Sequence, residues 1–310
     1  MSNTPWTTLD KGLTEHAVAV AWNQWAALGG TLTGATTVTA LIDPEALLLG
    51  SLTLLPQEPR LERAILSWIE RNSPLLSVQR LKRLRRDHPP AVQSALSRLV
   101  TPVAQRHPRW RTLVEKATMS TAIRAQRTRA HEDDAPTRAI DFPADRSANL
   151  MLRMRLALGV SVKSDVLTAS IVATAPRSIA DLCRRLSYTS VAVRHAVDDL
   201  ARARWLRTNE GRPVRVEAPH AWHALLELTE LPREVAWHEY FSFISTLHAW
   251  CDSNAPAVAG YAMAVRVRRH LETRPLLRQE WHLTSPGAGG GDPTSAMVAM
   301  LQRSLLEVRP

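Results

Sequence analysis

At 310 residues the chain is long for one small domain and implies two or three compact units. Hydrophobic residues make up 45% and charged residues 22%, a globular balance that excludes disorder as the overall state. A formal net charge of +10 favours an anionic partner, nucleic acid or an anionic membrane surface, although arginine richness also tracks coding bias in GC-rich genomes.

The chain opens without a basic stretch leading into an apolar one, so no export signal is expected. The apolar runs at 17–28 and 47–55 are too short to span a bilayer, and a cytoplasmic protein with no membrane partner is the expectation. A first helix is predicted over 13–28, where Val18, Trp22, Trp25 and Ala26 recur at helical spacing before Gly29-Gly30. Residues 31–40 read as a loop with some extended character. Asp43-Pro44-Glu45 marks a helix start: an N-cap acid, a proline in the first turn and a carboxylate favoured by the dipole. That helix stops before Pro56. Further helices are predicted over 60–70, 77–86, 91–105 and 109–117, giving an N-terminal helical domain, 1–118. Residues 119–147 lack an apolar period and read as a linker. A new helix carrying Leu150, Met151, Met154 and Leu158 opens a domain at 148–219. Beyond it, helices at 221–231, 233–251, 256–271 and 296–307, with a glycine-rich loop at 285–295, form a C-terminal helical domain, 220–310. No repeat period is present.

The informative order of signals lies at 161–218: helix, helix, short turn, helix, hairpin. Residues 162–173 form the first helix, with Val162, Val166, Leu167 and Ile171 inward. Ser178 caps a second, 179–186, whose Ile179, Leu182, Cys183 and Leu186 face inward. Ser187-Tyr188 makes the turn and Thr189 caps a third helix, 190–203, with a core stripe of Val193, Ala196, Val197 and Leu200. Ser190, Val191, Arg194 and His195 are then left on its N-terminal half, where a recognition helix meets a major groove and a phosphate meets free amides. Asp198 and Asp199 fall toward the far half. The segment 205–218 reads as a two-stranded wing around Asn209-Glu210-Gly211-Arg212. Alternation puts Leu206, Val214 and Val216 on one side and Arg207, Arg212 and Arg215 toward solvent, available to backbone or minor groove.

Four segments carry a likeness: Ser178-Ile179-Ala180-Asp181-Leu182, Leu186-Ser187-Tyr188-Thr189, Val193-Arg194-His195-Ala196-Val197-Asp198-Asp199-Leu200 and Ala203-Arg204-Trp205-Leu206. Residues 161–218 thereby resemble the winged-helix transcriptional regulators of the MarR and ArsR type. Ser187 stands where glycine is frequent in that turn, which matters little if the serine avoids a strained backbone. Asp43-Pro44-Glu45-Ala46-Leu47-Leu48-Leu49, Leu76-Ser77-Val78-Gln79-Arg80 and Asn149-Leu150-Met151-Leu152-Arg153 are similar to a bacterial family of helical proteins with an internal winged helix. Members are often encoded beside nucleotidyltransferase toxins of the AbiEii kind. This likeness implies an antitoxin or autoregulator and assigns no residue a role.

Other signals are weaker. Arg80, Lys82, Arg83, Arg85 and Arg86, followed by Arg98, Arg106, Arg109 and Arg111, form the densest basic region. It is a candidate for auxiliary phosphate contacts and equally for a solvated helix face; an RNA or toxin surface is a third option. His220 and His223 share a helix face but lack a third ligand, and His131-Glu132-Asp133-Asp134 reads as a solvated acidic patch. Cys183 and Cys251 are isolated, so neither a disulfide framework nor a zinc site is expected. The tryptophans fall mostly on apolar helix faces and read as core. No metal, cofactor or catalytic constellation is expected. The prediction is a mainly α protein with a central winged helix flanked by helical domains, acting as a DNA-binding transcriptional regulator (a repressor or autoregulator). The alternative is an antitoxin-like interaction module that neutralises a toxin enzyme. A palindromic operator would make it a homodimer.

Overall fold

The computed structural model describes residues 4–30, 32–115, 140–209, 211–253, 260–283 and 293–306. The chain is mainly helical, with one small antiparallel sheet. Helix α1 spans Pro5–Ala27 and starts well before residue 13 because its N-terminus is capped locally. Thr4 accepts from the Thr7 amide, the Thr7 hydroxyl returns the contact to the Thr4 backbone, and Pro5 occupies the first turn. Helix α2, Pro44–Leu54, starts where the sequence marks it, with Asp43 accepting from the Ala46 amide. Every residue of α2 is buried, as expected for a helix apolar all round. Then come α3 (Arg60–Asn72), α4 (Val78–Leu84) and α5 (Pro90–Arg106), followed by a 3-10 turn at Pro108–Leu113.

After residue 140 follow α6 (Leu150–Leu158), α7 (Val162–Ile171), strand β1 (Arg177–Ser178), α8 (Ile179–Leu186) and α9 (Ser190–Arg202). Strands β2 (Arg207–Thr208) and β3 (Arg215–Glu217) lead to the short α10 (Ala221–Leu225). The last helices are α11 (Trp237–Ser253), α12 (Tyr261–Glu272), α13 (Pro275–Glu280) and α14 (Pro293–Leu306). The helix expected over 233–251 begins later, because Arg233 is held in an extended bridge with Ala40. Residues 116–139, with the acidic run at 131–134 and most of the expected linker, and the glycine-rich 284–292 lie outside the described residues.

Two apolar cores organise these elements. The larger joins α1–α5 to α11–α14, so residues from 1–118 and from 220–310 share a single interior. Helix α1 packs on α11 and α14, and α2 packs on α11. The α2–α11 approach is closest at Gly50, where an added Cβ would stand 2.2 Å from the Phe241 ring. No side chain fits there. Trp25, Trp68, Trp110 and Trp237 are buried in this core, as their helix faces predict. The smaller core takes Leu41 and the apolar faces of α6–α9 with Leu206 and Val216. Of the described helices, none is long and apolar enough to cross a membrane.

The three strands run in the order β1-β3-β2, all antiparallel. β1 is not apparent in the sequence: only two residues long, it pairs Arg177 with Val216 and Ser178 with Arg215. Val216 is buried, whereas Val214 is exposed, contrary to the alternation expected for the wing. Val214 precedes the paired residues of β3 and has no sheet face to bury.

Candidate nucleic-acid interface

The segment that positions the candidate surface is built by local caps. Ser161 caps α7, Ser178 caps α8 through the Asp181 amide at 3.1 Å, and Thr189 caps α9 through the Ala192 amide at 3.2 Å. Leu182 and Leu186 of α8 and Val193, Ala196, Val197 and Leu200 of α9 are buried together. This leaves Thr189, Ser190, Val191, Arg194 and His195 exposed along the N-terminal half of α9. Val191 is 62% exposed, an apolar side chain left mostly to solvent. Arg207, Arg212 and Arg215 are exposed on the strands and their connection, with Arg207 opposite Glu217. Among the described residues Arg194 makes no hydrogen bond or ion pair; Arg215 reaches only the Pro176 carbonyl, at 3.4 Å. Asp199, further along the same helix, is engaged by Lys163 at 2.9 Å, which tempers its charge.

The second basic group divides. Arg80 does not belong to the surface: it is wholly buried and cannot touch a phosphate. Its guanidinium is bound to Asp43, to Glu45 at 2.8 Å and to the Leu186 carbonyl at 2.9 Å. Lys82, Arg83 and Arg85 are half-buried, Arg85 pointing at the Leu113 carbonyl at 3.4 Å, and Arg86 is exposed. Arg83 does reach the α8–α9 side. Burial pushes the Cys183 thiol up while Arg194, Arg184 and Arg83 pull it back, which puts three guanidiniums within electrostatic reach of one sulfur. Arg184 is not among the residues the sequence pattern assigns to this surface. It lies off the Ile179–Leu182–Cys183–Leu186 stripe, which is the signal that would have found it, and is about half exposed although Asp181 approaches at 3.4 Å.

No family model, curated protein or solved structure matches the chain. The surface therefore stands on its own geometry.

Beneath it lies a set of charges that the sequence does not reveal. Glu45, in the first turn of α2 as the sequence marks it, is fully buried between Arg80 and Arg155. Arg155 holds Glu45 at 2.6 Å, Asp165 at 2.7 Å and the Leu75 carbonyl at 3.1 Å. Tyr188 donates to Asp165 at 2.9 Å and Glu45 accepts from the Ser77 amide at 2.7 Å. Burial pushes the Asp43 carboxyl up, but Arg80 outweighs it and holds the group down at about 2. Burial likewise opposes the charges on Arg80 and Arg155, and the carboxylates around them more than compensate, raising both pKa values. Ser187, between Leu186 and Tyr188, sits at φ 56° and ψ 38°. The serine does occupy the left-handed region that glycine fills at no steric cost, so the departure from glycine is strained.

A second, half-buried group ties the same unit to the C-terminal helices. Arg185 reaches Glu280 at 2.8 Å, Glu234 at 2.9 Å and Asp181 at 3.2 Å, and Arg177 also binds Glu234. His220 and His223 meet edge-to-face at 5.4 Å. Among the described residues no group of three or more His, Cys, Asp or Glu is placed to hold a metal ion.

Proposed function

We propose that residues 161–218 form a winged helix that binds double-stranded DNA, and that the protein is a transcriptional regulator, a repressor of its own or a neighbouring gene. The observation that carries this reading is the N-terminal half of α9: five adjacent exposed side chains on a helix whose other face is packed. An arginine without a partner among the described residues suits the edge of a guanine on such a helix, and Val191 suits a thymine methyl. Arg207, Arg212 and Arg215 then grip the adjacent backbone or minor groove, and Arg83 and Arg184 add phosphate contacts beside α9.

The test is binding of the purified protein to the DNA upstream of its own gene and to a scrambled duplex, each at two salt concentrations. A preference for upstream DNA that persists at the higher salt is expected. Equal binding to both that collapses with salt would reduce the surface to a general polyanion site and leave the antitoxin-like interaction reading to be pursued.

A further inference from the structure

We propose that Arg80 and Tyr188 are positioning residues for DNA recognition, fixing the pose of α9 from the helical body through the buried chain Asp43–Arg80–Glu45–Arg155–Asp165. The inference rests on the DNA-binding reading above and adds to it what aims the recognition helix.

The turn between α8 and α9 is where that aim is decided. Leu186 is the last residue of α8 and its carbonyl is one of the acceptors left open at a helix end. Arg80, from α4 in the large core, supplies the donor through Nε at 2.9 Å. On the other side of the left-handed Ser187, the Tyr188 hydroxyl donates to Asp165 of α7 at 2.9 Å. Both neighbours of the strained residue are thus tied to one ionic assembly. Asp43 and Glu45 anchor that assembly at the N-terminus of α2, and Arg155 carries it across to Asp165. A rotation of α9 that pivots at Ser187 displaces Leu186 or Tyr188 and so strains at least one of these contacts.

The chemistry fits alignment better than mere adhesion. Buried ion pairs often add no net stability over apolar packing, since desolvation cancels much of the attraction, but they demand one geometry. Arginine presents a planar fork that binds carboxylates two-pronged and can hold a carbonyl at the same time; lysine cannot. The assembly also lies at the boundary of the two apolar cores, where α6 sends Leu152 into the larger and Leu150, Met151 and Met154 into the smaller, so the ionic contacts act beside this shared helix.

The test compares full-length protein with Arg80→Lys, which keeps a positive charge but loses the fork, and Tyr188→Phe, which removes one hydroxyl. For variants that retain a cooperative melt, the preference for upstream over scrambled DNA should fall at least ten-fold. The salt dependence of binding to scrambled DNA should not change, because no exposed cation has been altered. Hydrogen exchange at the amides of 187–193 should quicken in Tyr188→Phe without DNA. Wild-type preference and wild-type exchange in the folded variants would overturn the proposal. If the unaltered protein shows no preference for upstream DNA, the DNA reading fails by itself. The exchange rates then decide the joint: quickening supports a pose held by the network, and unchanged rates reject it.

Discussion

Arg80 and Arg194 are the same residue type, each one turn or so into a helix of a basic chain, and they end in opposite environments. Arg80 is sealed among carboxylates and a backbone carbonyl, whereas Arg194 faces solvent with no partner among the described residues. A buried guanidinium is committed to one geometry, and an exposed one is available to a ligand. The contrast separates residues that would aim the binding helix from residues that would touch DNA.

The comparison breaks most visibly through stability. Arg155→Met leaves Glu45 and Asp165 buried without their shared cation and should cost about 3–5 kcal/mol in urea unfolding. Arg194→Ala should change stability by no more than about 0.5 kcal/mol. In DNA binding Arg194→Ala should lose about 1–3 kcal/mol of specific affinity, measured by fluorescence anisotropy, and relax the preference at one base position. Unchanged affinity and preference would remove Arg194 from the site.

Gly50→Ala offers a control away from both regions. It forces a methyl group against Phe241 and should destabilise by about 1–3 kcal/mol without altering the DNA preference of the folded fraction.

Acid gives a further test. Burial holds His88 near 3, His238 near 4 and His270 near 3, below the ordinary imidazole value of 6.5. The unfolded chain therefore takes up protons at these sites between about 6.5 and 3 that the folded chain refuses, and stability falls as pH drops through that window. Burial raises Glu239 to about 7, which acts in the opposite sense between 4.5 and 7. His16 is lowered too, while His248, Asp87 and Glu280 are raised and act with Glu239; the large shifts of His88, His238 and His270 leave net acid destabilisation, and Asp43 adds to it below 3.8. Urea midpoints at pH 7, 5.5 and 4.5 should fall in that order; a constant or rising series would contradict the buried, neutral histidines.

The smallest effect is expected at the turn itself. Ser187→Gly relieves the left-handed strain and should raise stability by up to about 1 kcal/mol, less the entropy glycine adds to the unfolded chain.

What could be read from the sequence was local. Asp43-Pro44, Ser178 and Thr189 each announce a helix through a side chain that caps its own next turn, and the apolar stripes of α8 and α9 are periodic. The exposed face of α9 follows from those stripes by subtraction. The Thr4–Pro5 cap is equally local, but the periodic apolar stripe of α1 becomes plain only further on, so periodicity alone starts the helix late. The rest depended on distant partners. Arg80 sits in a basic run that reads as a solvated face, yet its acids are at 43 and 45 and its carbonyl is at 186. β1 is too short for a strand signal and exists because β3 offers it an edge. The union of the N- and C-terminal helices in one core leaves no trace in periodicity, which reports that a face is apolar but not what covers it.

The most direct measurement is photo-cross-linking of the protein to its upstream DNA, followed by mapping of the modified peptides. Adducts concentrated on 189–195 and 207–215, with any others at the flanking Arg83 and Arg184, and lost when excess unlabelled upstream DNA is added, are the predicted result. Adducts on α5 or α12 with none on α9, or adducts displaced equally well by scrambled DNA, would contradict the central claim.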